Sequence, residues 1–217
     1  MKVLVVLSGG MDSSTAVAWA QLEHQVVGAV NFQYGSKHNA REFLAAARVT
    51  DFYKIPLKYI DLEFIGENFK SDLLRSGGDV PEGHYADESM KRTVVPFRNG
   101  IMLAIAAGLA ESMGAEAVVL GNHFGDHAIY PDCRADFAAH MAKAIELGTY
   151  AEIKLLCPFQ SVDKTEIARA GAAMGVPFNL TYTCYKGGEK HCGKCGSCTE
   201  RREAFHLAGV PDPTVYE

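Results

Sequence analysis

Apolar and polar positions alternate in blocks along most of the 217 residues. Lys2 to Leu7 is an apolar run of strand length, and so are Gln25 to Phe32, Phe52 to Leu57, Ala117 to Leu120 and Ile153 to Leu156. Between them lie stretches of helical period: from Ser13 to about Glu23, Asn39 to Val49, Asn99 to Met113, a helix after Arg134 with Phe137, Met141, Ala144 and Ile145 on one face, Asp163 to Met174, and Thr199 to Leu207. Asp163 with Glu166 three residues on is a capping box. Residues 61 to 97 lack a period and carry Gly77-Gly78 and Pro81, which predicts an irregular, partly mobile flap. Such alternation predicts an α/β fold of three layers, a parallel sheet between helices. Ligands of such sheets bind beyond the carboxyl ends of the strands. There the turn after the first strand, the Tyr34 to His38 loop and the loop from Asn122 converge. Residues 1–178 read as this nucleotide-binding domain, and 179–217 as a small cysteine-bearing segment packed on it.

Composition narrows the class. The formal net charge is −5, and Lys91-Arg92 and Arg201-Arg202 are the short basic pairs, read as solvated. A backbone-tracking nucleic-acid binder shows a basic surplus, so no nucleic-acid partner is expected. The longest apolar stretch, Ile101 to Ala110, is too short to span a bilayer, and the N-terminus enters a strand with no signal peptide. Six cysteines without a secreted disulfide pattern point to a reducing cytoplasm.

The chemistry begins at Ser8, Gly9, Gly10, Met11, Asp12, Ser13 and Ser14. A turn of small residues between strand and helix aims backbone N–H groups, hydroxyls and a positive helix end at one point, an anion cradle suited to phosphate. The lysine of a Walker A loop is missing. Asp12, a carboxylate beside that cradle, reads as a Mg²⁺ ligand or a helix cap. The run resembles the PP-loop of ATP pyrophosphatases, which implies cleavage of ATP between the α- and β-phosphates and adenylation of a substrate oxygen.

Cys184, Cys192, Cys195 and Cys198 form Cys-x7-Cys-x2-Cys-x2-Cys, with Gly193 and Gly196 in the turns. Four thiolates at this spacing suit one closed tetrahedral Zn²⁺ of structural role, with an iron–sulfur cluster as the rival. His191 stands beside a ligand and reads as a solvated loop residue. Few apolar residues hold the segment from Thr181 to Cys198, so the metal would supply its ordering free energy. Cys157 reads as buried packing.

The stretch from Gly121 to Arg134 is dense in polar groups. Asp132 fits two adjacent N–H groups such as a guanine edge offers, and Arg134 fits a carboxylate or phosphate. The same pair also reads as a surface ion pair capping a helix.

Taken with Phe32-Gln-Tyr-Gly-Ser-Lys-His38, Val95-Pro-Phe-Arg-Asn99 and Tyr130-Pro-Asp-Cys-Arg134, these motifs resemble, in order and over nearly the whole chain, the 7-cyano-7-deazaguanine synthase family. The resemblance implies an adenine-nucleotide alpha-hydrolase-like (PP-loop) fold. It implies ATP-dependent conversion of 7-carboxy-7-deazaguanine and ammonia to the nitrile through an acyl-adenylate and an amide. A zinc on the four cysteines and a homodimer also follow from it. Lys164, Arg98 and Lys37 would offset charge on pyrophosphate, and His38 or Asp126 would manage amine protons. Tyr34, Asn99, Asn122, Tyr130, Asp132 and Arg134 would face the deazapurine. Departures stand at Ser36, where the family has Gln, at Phe97, where it has Gly, and at Ala128-Ile129, where it has Ser-Gly. The last two bulk up the expected pocket wall. A related enzyme that stops at the amide, or passes the acyl group to another amine, is the alternative. The chain has no room for a glutaminase domain, so ammonia comes from outside it.

Overall fold

The computed structural model describes residues 1–123 and 129–217. Five parallel strands, β1 (Lys2–Val6), β2 (Gln25–Gln33), β3 (Leu57–Asp61), β4 (Ala117–Val119) and β5 (Lys154–Leu156), form one sheet in the order β3-β2-β1-β4-β5. The helices are α1 (Met11–Glu23), α2 (Asn39–Tyr53), α3 (Glu63–Asn68), α4 (Arg98–Ser112), α5 (Ala135–Gly148), α6 (Lys164–Ala173) and α7 (Gly196–Ala208). The expected three-layer α/β architecture is present.

Period-two alternation in β1 explains the layers. Val3, Val5 and Leu7 pack on one face with Ala16, Val17 and Ala20 of α1, Ala46 and Val49 of α2 and Ile167 of α6. Leu4 faces the other way, into a core with Leu103, Ala106 and Ala110 of α4 and Ile145 of α5. The order in which strands are added reverses between β1 and β4, so a crevice opens at their carboxyl ends.

Two stretches differ from expectation. Phe52 and Tyr53 do not start a strand; they finish α2, which Lys54 ends in a left-handed conformation (φ 55°). Ala45, Ala46 and Val49 set a helical stripe that runs on to Tyr53, and the third strand begins only after Pro56. Residues 61–97 are not an irregular flap. They hold α3 and a 3-10 turn at Glu88–Thr93, and Ile65, Leu73, Leu74 and Met90 are fully buried. Apolar side chains spaced too irregularly to show a period still pack against the sheet.

The capping box of α6 is formed: Asp163 accepts from the Glu166 N–H at 2.9 Å, and Glu166 accepts from the Asp163 N–H at 3.0 Å. The cysteine segment joins the main body, with α7 packed on α6 and all four cysteines in the core shared with β1, β2 and α4.

Candidate active site

β1 ends into Ser8-Gly9-Gly10, and α1 starts at Met11, with Gly10 as its N-cap. Gly9 has φ +92°, and a Cβ there would lie 2.6 Å from the Ala46 nitrogen and 2.7 Å from the Glu42 carbonyl. Only glycine lets the loop turn this tightly against α2. The Ser8 and Ser13 hydroxyls are 3.0 Å apart, and Ser8 Oγ accepts from the Gly10 N–H at 3.3 Å. Loop and helix end thus face the crevice together, the arrangement that binds phosphate. Ser14 is fully buried beneath it.

Asp12 stands on the first turn of α1. Its Oδ2 is 3.2 Å from Lys164 Nζ and 3.9 Å from His123 Nε2, while its buried Oδ1 has no hydrogen-bond partner among the described residues. An orphaned carboxylate oxygen beside an anion cradle fits a Mg²⁺ ligand. Lys164 also meets Glu200 of α7 at 2.6 Å and lies 5.7 Å from the Tyr85 ring.

Tyr34, His38, Glu42 and Arg98 line the same cleft. Asn39 Oδ1 accepts from the Tyr34 and Ser36 N–H groups at 3.0 and 2.7 Å, shaping the loop after β2. Arg98 donates to the Tyr34 hydroxyl at 2.9 Å and lies 5.3 Å from its ring. Burial works against the Arg98 charge, but Tyr34, Asp132, Tyr185 and Cys133 around it hold its pKa well above the usual value. Burial, with Arg98 adding, pushes His38 down to about 4, so its ring is neutral at pH 7. Burial raises Glu42 to about 8 against the pull of Arg98.

Asp132 does not point into the crevice. Its Oδ2 accepts from the Asn99 N–H at 2.8 Å at the start of α4, and Asn99 returns a bond to the Asp132 carbonyl. It is a helix cap that fixes Arg98 and Asn99. Asn99 Nδ2 also reaches Cys133 Sγ at 3.2 Å. Asn122 donates to the Cys133 carbonyl and to Gln160.

These groups line one cleft, with about 1120 Å³ of empty space including its open mouth. Ser8, Asp12, Ser13, Tyr34, His38, Glu42, Arg98, Asn99, Asn122, Tyr130, Cys133 and Lys164 are on its wall. Tyr182, Thr183, Tyr185 and Ser197 of the cysteine segment complete it. The Tyr182 N–H bonds the Gly9 carbonyl at 2.9 Å, which ties that segment to the anion loop.

The ligand sulfurs of Cys184, Cys192, Cys195 and Cys198 all lie within 4.8 Å of one another, and all four residues are buried. A tetrahedron with metal–sulfur bonds of about 2.3 Å has edges of about 3.8 Å, so the set fits one closed site. Backbone N–H groups of Lys194 and Cys195 point at Cys192 Sγ, as in a metal knuckle. His191 is not a fifth candidate: it is buried, and its Nε2 accepts from the Thr183 N–H at 3.0 Å.

The comparisons with known proteins agree with this geometry. Residues 2–209 match the family described as Queuosine biosynthesis protein QueC. The chain belongs to that family. It is 54% identical over 214 residues to the 7-cyano-7-deazaguanine synthase of Porphyromonas gingivalis, covering 99% of this chain and 96% of that one. It is 51% identical to the synthase of Allorhizobium ampelinum, covering 100% and 93%, and 49% identical to that of Desulfotalea psychrophila, covering 98% and 97%. Among solved structures, a 4-thiouridine synthetase in complex with RNA and ATP superposes with TM-score 0.54 at 20% identity, over 99% of this chain and 47% of that one. NMN synthetase from Francisella tularensis does so with TM-score 0.51 at 12% identity, over 96% and 77%. These two show the fold.

In this QueC-family chain several residues serve other ends than the sequence suggested. Lys37 is turned away from the cleft, its Nζ donating to the carbonyls of Asp72, Leu74 and Gly78 at 2.6 to 2.8 Å. It anchors the 72–78 turn. Arg134 is exposed at the N-cap of α5 and is not on the cleft wall. Ile129 packs among Tyr85, Met90, Tyr130 and Cys133 and does not wall the cleft. Asp126 and Ala128 lie outside the described residues. Phe97 sits at the N-cap of α4 with φ +53°, a left-handed position that explains why glycine suits it, and its ring packs on Phe137 at 5.8 Å. Cys157 is half-buried, its thiol pushed up to about 12 by burial.

Arg201 is not solvated but fully buried. It donates to Asp212 at 3.2 Å, to Thr181 at 2.8 Å, to Thr183 at 3.2 Å and to the Phe178 carbonyl at 3.3 Å, clamping the segment before the cysteines to the last residues. Glu42, Tyr85, Tyr182, Tyr185 and Glu200 are cleft or cleft-supporting residues that sequence reasoning missed. The spacing of His38 and Glu42, one helical turn apart just after the Tyr34 loop, was the available signal for the first of them.

Proposed function

We propose that this chain makes 7-cyano-7-deazaguanine from 7-carboxy-7-deazaguanine, ammonia and ATP, as a ligase that releases AMP and pyrophosphate. The observation that carries the reading is a convergence. The anion loop of β1 shares one cleft with Tyr130 and Cys133 of the block Tyr130-Pro-Asp-Cys-Arg134, in a chain of the QueC family. The substrate carboxylate attacks the α-phosphate of ATP, giving an acyl-adenylate and pyrophosphate. Ammonia displaces AMP and leaves an amide. A second ATP adenylates the amide oxygen, and loss of AMP with that oxygen yields the nitrile.

This chemistry needs positioning and charge neutralisation. Ser8, Gly10, Ser13 and the start of α1 bind the pyrophosphate part of ATP. Lys164 and Arg98 stand on the cleft wall where phosphate charge develops. Tyr34, Asn99, Asn122 and Tyr130 hold the deazapurine, and the cap from Asp132 fixes Arg98 and Asn99 behind them. Mg²⁺ held by Asp12 would offset the phosphate charge. Zn²⁺ on Cys184, Cys192, Cys195 and Cys198 would be structural, ordering the wall formed by Tyr182 to Tyr185.

The substrates are small molecules. The cytoplasm as its location, and association as a homodimer, rest on cysteine usage and on the family resemblance. No helix of the described residues is long and apolar enough to cross a membrane.

The test is mass spectrometry of metal-loaded protein with Mg-ATP, ammonium and 7-carboxy-7-deazaguanine, with AMP followed alongside. The nitrile with AMP in twofold excess is expected. Intact ATP and unchanged acid would overturn the reading.

A further inference from the structure

Glu42 is the cleft carboxylate that the scheme above leaves without a task. Its side chain is only 16% exposed, yet no hydrogen bond to its carboxylate is made among the described residues. Arg98, whose charge acts on Glu42, donates to the Tyr34 hydroxyl instead. His38 Nε2, 3.7 Å from Glu42 Oε2, belongs to a neutral ring. Burying a carboxylate with no partner costs stability, so such a group is kept for what it does.

We propose that Glu42 is the proton acceptor that converts ammonium into the nucleophile of the amide-forming step. The step belongs to the deazaguanine reading above and rests on it. Near pH 7 free ammonia is almost wholly ammonium, which has no lone pair. One N–H bond of ammonium breaks and its proton goes to a Glu42 oxygen. The freed pair forms the C–N bond to the acyl carbon, and the C–O bond to AMP breaks with its electrons leaving on AMP. The second nitrogen proton departs to solvent. Glu42 lies on the same cleft wall as the anion loop, and its own backbone carbonyl is packed against Gly9 of that loop. The charged and titratable groups around it are His38 on the same helix, Tyr34 from the loop after β2 and Arg98 from α4. Burial raises its pKa to about 8, so the ionised form that takes the ammonium proton is the minority at pH 7 and grows as the pH rises through 8.

The test compares wild type, Glu42→Gln and Glu42→Asp, with ammonium and with hydroxylamine, an amine already neutral at pH 7. Pyrophosphate exchange into ATP, dependent on 7-carboxy-7-deazaguanine, is read in parallel. Glu42→Gln should lower kcat/KM for ammonium about 100-fold, the usual scale of a lost general base. With hydroxylamine the loss should stay within about threefold, because no proton need be taken first. Glu42→Asp, which keeps a carboxylate, should recover part of the ammonium rate. The ammonium rate should level off near pH 8 in wild type and climb further with pH in Glu42→Gln. Equal losses with both amines would overturn the proposal. So would loss of exchange in Glu42→Gln, which would place Glu42 in adenylation or in folding. Absence of exchange in wild type would instead remove the deazaguanine reading itself.

Discussion

Replacing Lys164 by Met should separate two roles of one ammonium group. Lys164 Nζ sits between Glu200 at 2.6 Å and Asp12 at 3.2 Å, and the lysine and glutamate side chains are 9% and 13% exposed. Removing the lysine takes the ion-pair partner at 2.6 Å from Glu200, whose side chain is largely out of water. Breaking such a pair costs about 3 kcal/mol at this partial burial. In a chain of this length that lowers Tm by roughly 6–12 °C. Changing Glu200 to Gln as well removes the charge that the lysine had offset, so Lys164→Met with Glu200→Gln should regain most of the lost Tm. The rate should not follow. Under the proposed chemistry, loss of this cation from the cleft wall should cost about 100-fold in AMP release, and neutralising Glu200 supplies no cation. Differential scanning calorimetry and an AMP assay on the two single variants and the double variant complete a cycle. A double variant as unstable as Lys164→Met would refute the ion-pair argument. A double variant with near wild-type rate would show that Lys164 only supports the fold.

Further outcomes follow from the same geometry. Arg201→Met should lower stability by about 3–5 kcal/mol, since Asp212 and three other acceptors lose a fully buried partner; a Tm change under about 3 °C would contradict the clamp. His38 is held down near 4 against an ordinary value of 6.5, so between those pH values the unfolded chain binds the extra proton. The contribution of His38 to stability should therefore fall as pH drops from about 6.5 towards 4, by up to about 1.4 kcal/mol per unit, and the difference between wild type and His38→Gln in urea titrations should carry that slope. Chelation of the metal from the four cysteines should weaken nucleotide binding as well as stability, because Tyr182, Thr183 and Tyr185 belong to the cleft wall; calorimetric ATP titration with unchanged affinity after metal removal would refute the link.

What the sequence conveyed depended on whether one short stretch held the whole signal. The unbroken apolar run Val3 to Leu7 marked β1 because both sheet faces bury it. The Ser8 to Ser14 run marked the anion loop because its neighbours in sequence are its neighbours in space. The Cys-x2-Cys spacing marked a metal set for the same reason. Asp132 shows where such reading stops. Its chemistry suits a purine edge, but its position beside the α4 N-terminus gives the carboxylate to Asn99. Lys37 shows it again, since three carbonyls from a turn more than thirty residues away take its ammonium. Arg201 looked solvated because its partners Asp212, Thr181 and Thr183 flank it at distances no local pattern reveals. Leu73 and Leu74, buried without period, hid an ordered segment in what looked like a flap.

The bond from Tyr182 to Gly9 has a consequence for how the protein comes into being. It joins the anion loop to a segment that is synthesised long after it, with β2 to β5 between them in sequence. The five strands can pair once β5 has emerged, but the nucleotide cleft then still lacks the wall around Tyr182. Closing so long a stretch of chain is slow compared with forming local helices. ATP-binding competence should therefore be acquired as a late event in synthesis, after the sheet has assembled and when the cysteines have been delivered to one another.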